Sequence, residues 1–188
     1  MRKWVSFFLA LMMLFAICMP AFAAEAEAQE AAEVLYSLGL FKGTGTDASG
    51  KPVFDLSRAP TRVEAVTMLV RLLGKEDDAR SGSWEIPFTD VADWAKPYVG
   101  YAYANGLTAG VSETRFGGSQ TVTAAQFLTF ALRALGYESG KDFSWDTAWT
   151  LSDAIGLSQG RFDANSGRFT RGDAVIVSLA ALRTKQNG

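Results

Sequence analysis

One short pattern occurs three times along the chain and constrains its fold more than any other feature. The segments GLFKG, GLTAG and GLSQG begin at residues 39, 106 and 156 and share the form Gly-Leu-x-x-Gly. Each is followed by a loop containing a phenylalanine, and each loop ends at a threonine that precedes an apolar segment: Thr61, Thr123 and Thr170. Such recurrence indicates that the chain is built from copies of one supersecondary unit.

Each copy is predicted to contain two helices joined by a loop, because apolar residues recur with helical spacing on both sides of it. A two-helix unit of about 50 residues buries too little surface to be stable alone. We therefore expect an all-α fold in which three tandem helix-loop-helix repeats pack with pseudo-threefold character around one core. The apolar faces comprise Ala31, Val34, Leu35 and Leu38; Val66, Leu69, Val70 and Leu73; Leu128, Ala131, Leu132 and Leu135; and Val175, Leu179 and Leu182.

The long helices are predicted to begin with capping boxes, because TRVE, TAAQ and TRGD start at Thr61, Thr123 and Thr170. The threonine accepts a hydrogen bond from the third helical N–H, and the acid or amide accepts one from the threonine N–H. The arginine that follows the threonine in two of the copies has no part in such a cap.

Arg62 and Arg171 occupy the first helical position, where a cation is normally disfavoured, and Ala124 occupies it in the middle copy. Two explanations remain open. An anion could be held by the guanidinium and the free backbone N–H groups together. Alternatively, the arginine covers the core or pairs with an acid of a neighbouring repeat. In the first case, substitution by alanine should weaken binding and barely change stability.

Residues 1–23 have the layout of a secretory signal peptide. Met1-Arg2-Lys3 precedes an apolar run, and Pro20 precedes Ala-Phe-Ala, which predicts cleavage after Ala23. An uncleaved membrane anchor is the alternative, because the run approaches spanning length. Cleavage would give a secreted protein without membrane association.

The composition excludes several classes of function. The chain has no histidine, and its one cysteine, Cys18, lies in the predicted signal peptide. No nucleotide-binding loop, zinc-ligand spacing or nucleophile elbow is present. The net charge of −2 argues against nucleic acid as a partner. We predict a protein that is not an enzyme and needs no metal or cofactor.

The middle copy, residues 87–137, resembles an S-layer homology domain. The resemblance lies in PFTDV followed by Trp94, an alanine-containing helix, Gly-Leu-x-x-Gly and the threonine-opened helix. The family's Thr-Arg-Ala-Glu motif is similar to TRVE in the first copy and to TRGD in the third, so that the resemblance covers about residues 31–185.

This resemblance implies a three-pronged bundle with repeats at 24–80, 81–139 and 140–188. It also implies non-covalent binding to cell-wall polysaccharide that bears pyruvylated, hence carboxylate-bearing, sugars, at the cell wall or S-layer on the extracellular face. The resemblance further implies that the motif arginine helps to hold the polymer in grooves between prongs. The ligand-binding residues that we predict from the motif are Arg62, Glu64, Arg171 and Asp173, together with Trp94.

The departures from the family pattern predict unequal grooves. Ala124 replaces the arginine, and the third repeat has DFSWDTAW at its entry. We expect one or two competent grooves that involve Arg62 and Arg171, with a weak or structural groove at the middle helix start. The alternative is a surface-assembly or protein-interaction component with degenerate grooves. Trp94 is either a core residue or a sugar-stacking residue, and Asp90 is expected to cap the helix after it.

The third repeat runs to the end of the sequence at Gly188. We therefore expect the chain either to act through a partner, such as another surface protein, or to have wall contact as its own function.

Overall fold

The computed structural model describes residues 23–184. Helices make up most of the regular secondary structure in this range, which confirms the all-α class. The predicted signal peptide lies outside the described residues except for Ala23. Two 3-10 turns, Asp93–Ala95 and Trp145–Thr147, precede the fourth and sixth helices. The helices are α1 (23–37), α2 (Arg62–Leu72), α3 (Glu76–Ser81), α4 (Lys96–Ala104), α5 (Ala124–Ala134), α6 (Ala148–Ala154) and α7 (Arg171–Arg183).

The three helices that follow the threonines form the centre of the fold. Helices α2, α5 and α7 each contact the other two, and Val66, Leu128 and Val175 are fully buried between them. The shorter α4 packs against α2, and α6 packs against α5, so that each covers the long helix of the preceding copy. The repeat number, the repeat boundaries and the pseudo-threefold arrangement stay predictions.

Two of the predicted core positions are exposed instead. Leu38 lies just beyond the end of α1, and Leu182 lies in the last turn of α7. Helical periodicity identifies the apolar face, but it does not show where the neighbouring helices stop covering that face.

The first loop contains a small hairpin that the sequence pattern did not predict. Strand β1 (Gly45–Thr46) pairs antiparallel with β2 (Pro52–Val53). Within its turn, Asp47 Oδ1 accepts hydrogen bonds from Ser49 N at 2.8 Å and from Lys51 N at 3.0 Å. This local side-chain-to-backbone bonding is typical of aspartate in tight turns and holds the inserted residues in a compact loop.

The first glycine of each Gly-Leu-x-x-Gly segment follows the end of a helix. Gly39, Gly106 and Gly156 have φ values of +73°, +68° and +78°, a region that favours glycine. After each glycine, the leucine N–H donates to a carbonyl five residues earlier, as in Leu107 N to Ala102 O at 2.9 Å. This pattern satisfies helix-terminal carbonyls and turns the chain into the loop.

All three predicted capping boxes are confirmed at Thr61, Thr123 and Thr170. Glu64 Oε2 accepts from Thr61 N at 2.7 Å, and Thr61 Oγ1 accepts from Glu64 N at 3.4 Å. The threonine and the acid or amide therefore have a local structural role in every copy.

Thr61→Ala should lower the free energy of unfolding by about 1 kcal/mol, because the side-chain acceptor of the cap is lost. Urea denaturation of the two proteins measures the difference. Thr61→Ser is the control, since it keeps the hydroxyl and should stay close to the parent protein. Equal losses for the two substitutions would contradict the capping explanation.

Candidate functional site

The starts of α2 and α7 are docked onto loops from other copies. Arg62 N donates to Gln120 O at 2.8 Å, and Val63 N donates to Gly118 O at 3.2 Å. At the start of α7, Arg171 N donates to Arg58 O and Gly172 N donates to Leu56 O, both at 2.8 Å. These first N–H groups are therefore occupied, and the hypothesis that they are free to hold an anion is wrong.

Arg62 is inserted beneath the middle loop. Its side chain is 7% exposed, and its Nη2 donates to Ala109 O at 2.7 Å. The guanidinium carbon lies 5.1 Å from the Phe116 ring centroid and 5.0 Å from that of Phe130. Burial, and then the charge of Arg133, lower the pKa of Arg62. The structure thus matches the core-covering alternative, and a ligand contact by Arg62 stays a prediction.

Position 124 shows how the fold does without a third arginine. Ala124 is followed three residues later by Phe127, where the other two long helices have Ala65 and Ala174. The buried Phe127 ring lies 5.1 Å from that of Phe169, in the loop of the third copy. An aromatic pair therefore packs this helix start against its neighbouring loop.

Arg171 is just as buried, at 4% exposure, but it borders an open groove of about 400 Å³. Its Nε donates to Phe54 O at 2.9 Å, and its guanidinium carbon lies 5.1 Å from the Phe41 ring centroid. Within residues 23–184, neither Nη atom has a hydrogen-bond partner, and neither is fully enclosed. These two nitrogens can donate to a ligand in the groove.

We call this cavity the Arg171 groove. The loop after α1, one face of α2, the turn before α4 and the start of α7 form its walls. Three of the five predicted ligand-binding residues line it, namely Glu64, Trp94 and Arg171. The other charged residues in its walls are Lys42, Asp55, Arg58 and Arg71.

Trp94 is 56% exposed at the wall of the groove, so the core alternative for this residue is wrong. An exposed indole face can stack on a sugar ring. Asp90 was expected to cap the following helix, and this prediction is wrong. Its carboxylate accepts from Phe116 N at 2.7 Å and Gly117 N at 3.0 Å, so it holds the middle loop in place.

Asp173 lies apart from the Arg171 groove. It accepts from Thr170 N at 2.8 Å, and it lines a different groove of about 440 Å³ beside the start of α1. The structure therefore does not bring the two acidic capping residues, Glu64 and Asp173, to one site.

Arg58 is held by two carboxylates. Its Nε lies 2.7 Å from Asp55 Oδ2, and its two Nη atoms lie 2.7 Å and 2.9 Å from the Glu64 oxygens. Burial raises the pKa of Glu64, but hydrogen bonds from Arg58 and Thr61 outweigh it and lower the pKa to about 2. Glu64 is therefore an anion at any physiological pH, and its charge is already matched.

Glu76 binds the two remaining cations at the rim. It accepts from Lys42 Nζ at 2.8 Å and from Arg71 Nε at 3.1 Å, and Tyr98 Oη donates to it at 2.7 Å. Burial raises the pKa of Glu76, but hydrogen bonds from Lys42 and Tyr98 and the charge of Arg71 bring it to about 2.

The sequence pattern did not indicate five of these charged residues: Lys42, Asp55, Arg58, Arg71 and Glu76. A signal existed for Arg71, because it stands at the same distance from Thr61 as Arg133 stands from Thr123. Lys42 lies inside GLFKG, within the recurring pattern. Neither local pattern shows which carboxylate each cation contacts.

Among residues 23–184, no three side chains of the histidine, cysteine, aspartate and glutamate types are grouped as metal ligands. Over the same range, every helix is too short or too polar to cross a membrane.

Arg62→Ala should lower the free energy of unfolding by about 2–4 kcal/mol, because it leaves a cavity between two phenylalanine rings. This reverses the expectation, made for a ligand-binding arginine, that stability barely changes. Thermal or urea unfolding measures the loss. Arg115→Ala, at an exposed arginine, is the control and should change stability by less than about 0.5 kcal/mol. Similar values for both would contradict a core role for Arg62.

Acid should destabilise the protein between about pH 4.5 and pH 2. Glu64 and Glu76 have folded pKa values of about 2, below their ordinary value of 4.5. The unfolded chain therefore takes up their protons first as the pH falls. The stabilisation is complete above about pH 4.5 and is lost towards pH 2. Urea unfolding across this range measures the loss of stability, which should be smaller in Glu64→Gln. If that variant lost as much stability as the parent protein, the contribution of Glu64 would be refuted.

Comparison with known proteins agrees with this architecture. Residues 87–128 match the family model of the S-layer homology domain. A "Cell surface protein" of Thermoanaerobacter kivui is 34% identical over 152 residues, which cover 79% of this chain and 19% of that relative. A "Middle cell wall protein" of Brevibacillus brevis is 29% identical over 197 residues, and a "Surface layer protein" of Brevibacillus choshinensis is 28% identical over 199 residues.

The alignments with the two Brevibacillus proteins cover 97% and 98% of this chain but only 18% and 17% of the relatives. The chain therefore spans less than a fifth of the length of these three curated relatives. The matched segment includes the turn with Trp94, helix α4, the loop held by Asp90 and the start of α5. Residues 87–128 are therefore the segment in which this chain matches the S-layer homology domain family.

Proposed function

We propose that this chain is a secreted, non-catalytic protein of the cell surface that binds cell-wall polysaccharide through three S-layer homology repeats. The Arg171 groove is the contact site, and carboxylate-bearing sugars, such as pyruvylated ones, are the ligands. One observation carries the proposal: a buried arginine, whose two outer nitrogens have no hydrogen-bond partner among residues 23–184, lines an open groove beside an exposed tryptophan.

The electrostatics of Arg171 favour a carboxylate. Among the described residues, its guanidinium has only a backbone carbonyl as hydrogen-bond partner. Charges attract more strongly where water is excluded, so a ligand carboxylate would bind with more energy here than at an exposed arginine. Two parallel hydrogen bonds between guanidinium and carboxylate would also fix the orientation of the ligand.

The shape of the groove favours a sugar. Its volume of about 400 Å³ lies within the range of small-molecule sites. Trp94 presents an apolar face, and the polar side chains of Lys42 and Arg58 line the same groove. A pyranose ring offers both an apolar face and hydroxyl groups, so a ketal pyruvate on that ring would supply every chemical group the groove can bind.

The similarities to known proteins support the cell-surface location and the wall binding in this proposal. The relatives carry the names cell surface, cell wall and surface layer protein, and the matched family is the S-layer homology domain. Location at the cell surface and binding to the wall follow for this chain by inference. The nature of the sugar rests on the groove.

The mature protein should pellet with purified cell-wall sacculi, and removal of the pyruvyl groups should abolish most of that binding. Arg171→Gln should weaken binding by about 1.5–3 kcal/mol, the range of a hydrogen bond to a charged group. Co-sedimentation over a range of protein concentrations measures both effects, and circular dichroism confirms that the variant is folded.

The matched control is Arg115→Gln, which removes an exposed arginine outside the groove and should leave pelleting unchanged. Equal pelleting with and without pyruvyl groups would refute the carboxylate part of the proposal. The same assay applied to Arg62→Gln tests the remaining prediction for Arg62, which requires a second competent groove.

The burial of Arg62 favours a second candidate, a surface-assembly component with degenerate grooves. One motif arginine is committed to Phe116 and Phe130, and Ala124 replaces another. In that case, the protein would pellet with neither wall preparation and would instead associate with itself or with other surface proteins, which cross-linking detects.

A further inference from the structure

Glu76 joins three segments at the rim of the Arg171 groove. It accepts hydrogen bonds from Lys42 in the loop after α1, from Arg71 on α2 and from Tyr98 on α4. Its own side chain is only 18% exposed. The carboxylate thus lies behind the groove wall, while the two cations that it binds line the groove.

The ion pairs leave the groove with one unmatched positive charge. Its walls hold four cations, Lys42, Arg58, Arg71 and Arg171. Asp55 and Glu64 bind Arg58, and Glu76 binds both Lys42 and Arg71. Together with these three carboxylates, the four cations leave a net of one positive charge. In the described part of the chain, Arg171 is the groove cation that forms no ion pair.

This distribution of charge affects how many negative charges a ligand in the groove can carry. A single carboxylate can bind Arg171 without disturbing any ion pair. A second negative charge would lie near Asp55, Glu64 and Glu76, whose partners are already taken. Like charges placed together in an interface cost several kcal/mol, and such repulsion is a means of rejecting wrong ligands.

We propose that Glu76 is a positioning residue that determines specificity: by occupying Lys42 and Arg71, it restricts the Arg171 groove to ligands with one negative charge. This inference rests on the proposed function. It separates pyruvylated sugars, which carry one charge, from phosphorylated sugars, which carry up to two at neutral pH.

The test uses two monosaccharides that differ only in their anionic group: a hexosamine with a ketal pyruvate and the same hexosamine with a 6-phosphate. Calorimetric or NMR titration at pH 7.5 gives both dissociation constants. The parent protein should bind the pyruvyl sugar at least about tenfold more tightly. In Glu76→Gln, Lys42 and Arg71 lose their anionic partner. The affinity for the phosphate sugar should therefore rise about tenfold, and the preference for the pyruvyl sugar should disappear.

If Glu76 had a merely structural role, its substitution would weaken the binding of both sugars by the same factor and leave the ratio of the two dissociation constants unchanged. Glu76→Asp is the matched control, because it keeps the charge and should keep the preference of the parent protein. Loss of the preference in Glu76→Asp as well as in Glu76→Gln would overturn the inference. So would an unchanged ratio in Glu76→Gln, although continued pyruvyl binding would then leave the proposed function standing.

If Glu76→Gln does not fold, the two dissociation constants of the parent protein still test the inference. A parent protein that prefers the phosphate sugar contradicts charge selection by Glu76 directly. If the parent protein binds neither sugar, the inference fails together with the proposed function.

Discussion

The backbone donors at the start of each long helix are the constraint on which the rest of the structure depends. A helix start leaves N–H groups without partners inside the helix. At α2 and α7, carbonyls from the loop of another copy accept them, as Gln120 O does for Arg62 N. Each of these starts is thereby fixed to a neighbouring loop, and the grooves lie where loops and helices meet.

This docking also determines what the two motif arginines can do. Both follow a capping threonine, and both enter a neighbouring loop beneath a phenylalanine ring or between two of them. A terminal nitrogen of Arg62 donates to a backbone carbonyl, whereas Arg171 bonds through Nε and lines a groove, with no partner for its outer nitrogens among residues 23–184. The same Thr-Arg pair thus gives one arginine that covers the core and one that lines a groove.

The chemistry of the groove follows from the pairing of its charges more than from their number. Four cations in one cavity would attract any polyanion, yet three carboxylates neutralise most of them. Two of these carboxylates, Glu64 and Glu76, have pKa values near 2, so the pairing persists across physiological pH. We expect a site of this kind to distinguish ligands by their charge, because its ion pairs hold the cations in place.

The sequence by itself determined two helices in each copy and the three capping boxes, because these depend on contacts within a few residues, but it did not indicate the short α3. It also predicted Glu64, Trp94 and Arg171 as ligand-binding residues, and all three line the Arg171 groove. Only the tertiary structure decided that Arg62 and Asp173 lie elsewhere, that Trp94 is exposed, and that Glu76 binds Lys42 and Arg71. These outcomes depend on which loop meets which helix, and contacts across long sequence separations leave no periodicity for a local pattern to reveal.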